Sequence, residues 1–185
     1  MTQVRQVAAI RAARGTETQP LLAALVAEWR AAGARIVGFV GELHGLPDRT
    51  CGAGFLRDVA FDKPYPIYLE EPASGKSCHL DAPGVSAASA ALLSQIPGSD
   101  LVVLNKFGKL EAMGEGLPPA FRLAIDAGKP LLTTVSATHR DAWCAFVPGA
   151  LELDADKAAL RNWWRAIEHT DRPVAATGDA LPHRV

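Results

Sequence analysis

Leu101-Val-Val-Leu104 is apolar at every position and then gives way to Asn105-Lys-Phe-Gly-Lys-Leu-Glu111. A strand with one wet face alternates apolar and polar side chains. A run without alternation is a strand buried on both faces, the signature of a mostly parallel sheet covered by helices on either side. Sheets of that kind bind ligands beyond the carboxyl ends of their strands. The polar residues after Leu104 therefore stand where chemistry is expected.

The rest of the chain supplies the partners such a strand needs. Residues 7–10 and 35–41 read as two further strands, and between them Leu21, Leu22, Leu25, Val26 and Trp29 recur at helical spacing, with Pro20 at the start and Gly33 at the end. This is a βαβ unit. Residues 42–82 break the rhythm with Gly, Pro and Asp around two short β-like runs, 55–61 and 66–70, and read as a β-hairpin insertion. Asp81 and Pro83 open a helix carrying Val85, Ala88, Ala91, Leu92 and Ile96. A strand at 100–105, a loop through Gly116, a helix from Pro118 to Gly128 and a strand at 130–135 follow. Thr138 caps a short helix with Trp143 and Phe146, and Asp154 caps a last helix with Leu160, Trp163, Trp164 and Ile167. Alternating strands and helices define a three-layer α/β fold with a mostly parallel sheet. We expect a single domain over 1–170 and a C-terminal tail over 171–185.

With 185 residues, 49% of them hydrophobic, the chain is long enough for one substantial core. A formal net charge of −1 provides no bulk attraction for nucleic acid or anionic lipid, so neither is an expected partner, and any anion must be held by a local cluster. The N-terminal apolar run is too short for a leader or a span. Three cysteines, Cys51, Cys78 and Cys144, have no regular spacing and fit reduced thiols, so a cytoplasmic location is expected.

Four loops fall at the expected carboxyl edge: 11–19, 41–46, 105–116 and 136–140. A working phosphate loop needs Gly-x-x-x-x-Gly-Lys followed by Ser or Thr after the first strand. Here Ala12 falls on the first Gly, Glu17 on the second, Thr18 on the Lys and Gln19 on the Ser/Thr. A Gly-Lys-Ser fragment at 75–77 lacks the leading Gly and an immediate helix. The candidate ligand-binding residues are Arg11, Arg14, Gly15, Thr16 and Thr18 from the first loop, Asn105, Lys106, Gly108 and Lys109 from the strand end, and His139 and Arg140 after the strand at 130–135. Backbone amides at a helix start and nearby cations suit an oxyanion. Cys51, Cys78 and His79 have metal-ligand chemistry without a metal-ligand spacing, so metal and cofactor stay unassigned.

The run Asn105-Lys-Phe-Gly-Lys109, its Gly114-Glu-Gly116 turn and the later Asp141-Ala-Trp143 resemble domain of unknown function 2478, a bacterial family, over most of the chain. Cys51 and Cys78-His-Leu-Asp81 stand where that family tends to have Cys and Cys-x-Leu-Asp. The family is similar in turn to small P-loop nucleoside-triphosphatases, whose matching strand reads Asp-Glu-x-Gly-Lys-x-Glu. Gly108, Lys109 and Glu111 are retained, whereas Asn105 and Lys106 replace the metal-binding and water-positioning acids. The resemblance implies a P-loop NTPase-like fold without its hydrolysis, and a link with molybdenum or tungsten metabolism.

The expected function is non-hydrolytic binding of a small anion, a nucleotide or an oxyanion such as molybdate or tungstate. An unconventional nucleoside-triphosphatase using Glu111 or Glu42 is one alternative. A regulatory or interaction subunit acting through a face near Trp163 and Trp164, with self-association left open, is the other.

Overall fold

A computed structural model describes residues 6–12, 18–47, 52–71 and 79–171. Its seven strands are β1 (Val7–Ala12), β2 (Ile36–Leu43), β3 (Ala53–Asp58), β4 (Pro64–Pro66), β5 (Leu101–Phe107), β6 (Leu131–Ser136) and β7 (Leu151–Leu153). The helices are α1 (Thr18–Ala31), α2 (Ala82–Leu92), α3 (Lys109–Ala112), α4 (Pro118–Asp126), α5 (Arg140–Phe146) and α6 (Lys157–Asp171). The sheet runs β4-β3-β2-β5-β6-β1-β7. Strands β2, β5, β6, β1 and β7 pair in parallel, and β3 and β4 extend the β2 edge in antiparallel fashion. The fold is thus α/β with a mostly parallel sheet, and the expected hairpin is an extension of that sheet. No helix among the described residues is long and apolar enough to cross a membrane.

Alternation along β5 explains the three layers. Val102 and Leu104 join the core beneath α2, α4 and α5, with Phe39, Phe121 and Trp143, while Leu101 and Val103 join the core beneath α1 and α6, with Leu22, Leu25 and Trp29. Trp163 and Trp164 are buried in that second core, where Trp164 lies 5.7 Å from Trp29 between ring centroids. Arg161 of α6 adds a bidentate pair to Glu28 of α1. The side chains of these tryptophans are therefore packed into the core shared with α1.

At one point the backbones of β2 and β5 nearly touch. Gly38 has φ +121°, and a Cβ there would sit 1.8 Å from the Val103 carbonyl oxygen. Only glycine satisfies both the left-handed conformation and that approach.

The sequence places the end of β5 at residue 105, but the strand continues to Phe107 through a register shift against β6. Leu104 lies opposite Thr133 and Phe107 opposite Val135, so Asn105 and Lys106 together face Thr134, which is a β-bulge. The extra residue decides side-chain direction. Without it Phe107 would share the Asn105 face; with it, Phe107 returns to the Leu104 core. The expected loop after it contains the four-residue α3, and the expected helix at Thr138 begins instead at Arg140 after a short 3-10 turn, Ala137–His139. The hairpin strands are also shifted from 55–61 and 66–70, because Asp58 accepts hydrogen bonds from the Ala60 and Phe61 amides and turns the chain earlier.

Candidate functional site

The carboxyl ends of the parallel strands converge on a divided cleft. One lobe, about 420 Å³, lies between β5, β6 and the start of α1, and its walls include Thr18, Asn105, Lys106, Gly108, Lys109 and His139. A second lobe, about 680 Å³, lies between α1, β2 and β3 and is walled chiefly by apolar side chains. Thr18, Gln19, Ile67, Asn105 and Lys106 belong to both.

The partition is built on Gln19. Its amide oxygen accepts the Gly41 N–H at 2.7 Å and its amide nitrogen donates to the Asn105 carbonyl at 2.6 Å. The Thr134 hydroxyl donates to the same carbonyl at 2.8 Å. One side chain at the second position of α1 thereby ties β2 to the bulge of β5. Gly41 lets it approach, since a Cβ there would lie 3.1 Å from the Gln19 amide oxygen. In the notation of a phosphate loop Gln19 stands on the Ser/Thr that helps hold Mg²⁺. Here that position is filled by an amide with both ends engaged.

Among the described residues the donors do not fit the Mg²⁺ that the fold implies. Magnesium takes carboxylate and water oxygens in octahedral array, and the strand end offers an amide and an ammonium group at Asn105 and Lys106. Glu111, the next acid along the chain, is 6% exposed and accepts hydrogen bonds from the Gly108 amide at 2.9 Å and the Leu117 amide at 3.4 Å. Burial raises its pKa, partly opposed by those backbone donors and by the Lys106 charge. Glu111 is thus a staple that closes the segment 108–117. Glu42 is held by Arg57 in a bidentate pair at 2.8 and 2.9 Å, and that pairing lowers its pKa.

The candidate residues from the sequence separate into three groups. Thr18, Asn105, Lys106, Gly108, Lys109 and His139 line the first lobe. Among the described residues no ion pair involves Lys106 or Lys109, and both side chains are exposed. The His139 ring lies 3.1 Å from the Ser136 hydroxyl. Arg11 and Arg140 are engaged elsewhere: Arg11 pairs with Asp154, and Arg140 holds Glu152 of β7 through two contacts of 2.6 Å. Arg14, Gly15 and Thr16 lie outside the described residues, as do Cys51 and Cys78. The His79 ring contacts the Leu69 carbonyl at 3.0 Å, and among the described residues no group of three or more His, Cys, Asp or Glu could hold a metal.

Sequence reasoning passed over Gln19 as a working residue and missed Ile67 and Leu80, which wall the first lobe from the hairpin side. Gln19 had a signal, a long amide at a helix start where a hydroxyl was expected. Ile67 and Leu80 had none, because their position depends on how the hairpin folds back.

Three comparisons agree with this frame. Residues 7–163 match the family described as protein of unknown function (DUF2478). Molybdenum import ATP-binding protein ModC 2 of Bradyrhizobium diazoefficiens is 34% identical over 180 residues, which is 95% of this chain and 20% of that protein. The chain thus spans about a fifth of that relative's length. The solution structure of a human cancer-related nucleoside triphosphatase matches with a TM-score of 0.65 at 15% identity, covering 91% of this chain and 100% of that one. At that identity the likeness is one of fold, and the fold is P-loop NTPase-like.

Proposed function

The chain belongs to the DUF2478 family, and from that premise we propose that it binds a small anion at the carboxyl edge of β5 without hydrolysing a nucleotide. The observation that carries the reading is the Gln19 amide locked between Gly41 and Asn105, where a hydrolase of this fold keeps its metal-binding hydroxyl. Hydrolysis on such a frame needs Mg²⁺ and a residue that orients water. Asn105 and Lys106 supply neither, and the carboxylates of Glu111 and Glu42 are committed to backbone amides and to Arg57.

Binding asks for less. Lys106 and Lys109 bring two positive charges to a lobe where the one acid among the described lining residues, Glu111, is turned inward. The start of the 14-residue α1 adds the positive end of its dipole. Molybdate and tungstate belong among the candidate anions because a relative's name concerns molybdenum import; phosphate and nucleotides belong there because of the fold.

Calorimetric titration with molybdate, tungstate, phosphate, ATP and GTP tests the proposal. We expect saturable binding of at least one, weakened tenfold or more by Lys106→Ala or Lys109→Ala, and no Mg²⁺-dependent phosphate release from ATP or GTP. Absence of binding, indifference to both substitutions, or steady turnover each refutes it.

A further inference from the structure

The second lobe has no role in holding a bare oxyanion. A tetrahedral ion fills a small part of a 420 Å³ lobe, and the adjoining 680 Å³ lobe is of the size that encloses a whole organic ligand. Its walls are Pro20 and Ala23 of α1, Val40 and Leu43 of β2, Phe55 of β3, and Ile67. Its polar lining residues are few. Where it meets the first lobe stand Thr18, Gln19, Asn105 and Lys106; Glu42 is the acidic group on its wall.

Two polar side chains at the junction are available to an occupant. Thr18 is 7% exposed and Asn105 is 6% exposed. Neither the Thr18 hydroxyl nor the Asn105 side-chain amide forms a hydrogen bond among the described residues, and both residues line both lobes. An amide that opens onto a cleft has a donor and an acceptor to give to whatever occupies it. The Gln19 amide cannot serve, because both its ends are taken.

Charge orients the occupant. Lys106 and Lys109 attract an anion into the first lobe, while in the apolar one Glu42 is neutralised by its bidentate pair with Arg57 and the described lining holds no cation beyond Lys106 for a second anion. We infer that the ligand is a one-headed organic anion: a phosphate or carboxylate held by Lys106 and Lys109, joined to an uncharged flat ring seated between Pro20, Ala23 and Phe55, with Asn105 bridging head and ring. This names the ligand class of the anion site proposed above and rests on that reading. Leu43, 79% exposed at the rim, is positioned to fold over a ring and gain burial.

The test uses matched probes on the full chain: inorganic phosphate against phenyl phosphate, acetate against benzoate, with molybdate as a further bare anion. Ring-bearing members are expected to bind at least tenfold tighter than their bare partners. Ala23→Leu, which fills the apolar lobe from a half-buried helix position, is expected to remove that gain and leave the bare anions unchanged; Lys106→Ala is expected to weaken both. If Ala23→Leu does not fold, the wild-type ratios decide alone. Bare anions that bind as tightly as ring-bearing ones, or a ring preference that survives in folded Ala23→Leu, overturn the inference while the anion site stands. No binding by any probe overturns both.

Discussion

The Asn105 carbonyl at the β5 bulge receives two side-chain donors, Gln19 from α1 and Thr134 from β6. A double-mutant cycle on those donors measures how firmly the bulge is held. Gln19→Leu keeps the approximate volume, removes one donor from the carbonyl and strips the Gly41 N–H of its acceptor. A part-buried donor left unsatisfied costs about 1–3 kcal/mol, so we expect a loss of about 2 kcal/mol. Thr134→Val removes the second donor from a residue 3% exposed, with Gln19 still in place, and a net loss of about 1 kcal/mol follows.

In the double variant the carbonyl of a nearly buried residue loses both side-chain donors at once. The two groups share one partner, so their effects do not add: the second deletion removes what compensated for the first, and an excess of about 1 kcal/mol is expected. Urea unfolding followed by tryptophan fluorescence suits the assay, since Trp29, Trp143, Trp163 and Trp164 are all buried. The midpoint is expected to fall with the slope unchanged, and Gln19→Leu alone lowers Tm by roughly 4–8 °C at this chain length. Additivity within about 0.3 kcal/mol, or a Gln19→Leu loss below about 0.5 kcal/mol, refutes the shared-acceptor reasoning.

Three other outcomes follow from named contacts. Gly38→Ala drives a methyl into the Val103 carbonyl at a φ of +121° and is expected to abolish soluble folded protein, checked by circular dichroism; a cooperative melt close to wild type refutes it. Glu111 has its pKa raised above the ordinary 4.5 by burial, so the folded chain retains a proton that the unfolded chain has released. Its stabilising contribution is therefore complete below about pH 4.5 and lost as pH rises through the folded value. Glu111→Gln removes that slope, and denaturation of both proteins from about pH 4 to about pH 8 checks it; parallel profiles would count against the assignment. Arg140→Ala releases a solvent-screened ion pair with Glu152, so a melting temperature close to wild type is expected, with anion affinity unchanged; a tenfold weaker titration would return Arg140 to the site.

Much of the frame was legible in residues that act locally. The apolar runs of β1, β2, β5 and β6 and the 3.6-residue spacing of α1, α4 and α6 state their own structure. β7 did not, because its three half-buried residues are too few to show a period. The bulge was also invisible. Asn105 and Lys106 read as the end of a strand because nothing nearby shows that Thr134, 29 residues away, takes the Asn105 carbonyl and lets the strand run on. The same limit separates the candidate residues. Thr18, Asn105, Lys106, Lys109 and His139 meet because strand carboxyl ends meet in any parallel sheet. Arg11 and Arg140 stood on the same edge by that rule, but their partners Asp154 and Glu152 come from the last strand and its exit, the element the sequence did not reveal.

Gln19 joins fold and function in one group. A hydroxyl at the start of α1 would be too short to reach both Gly41 and Asn105, and a metal ion with its waters would be needed to span the gap between helix and strand. The glutamine amide spans it directly, with a donor at one end and an acceptor at the other. On the reading proposed above, an Asp at position 105 or a Glu at 106 would repel an incoming anion. Lysine at 106 and a neutral amide at 105 are what remains favourable. On the proposed reading, positions 19, 105 and 106 act as one unit: a side chain ties the edge together and a lysine leaves positive charge for an anion.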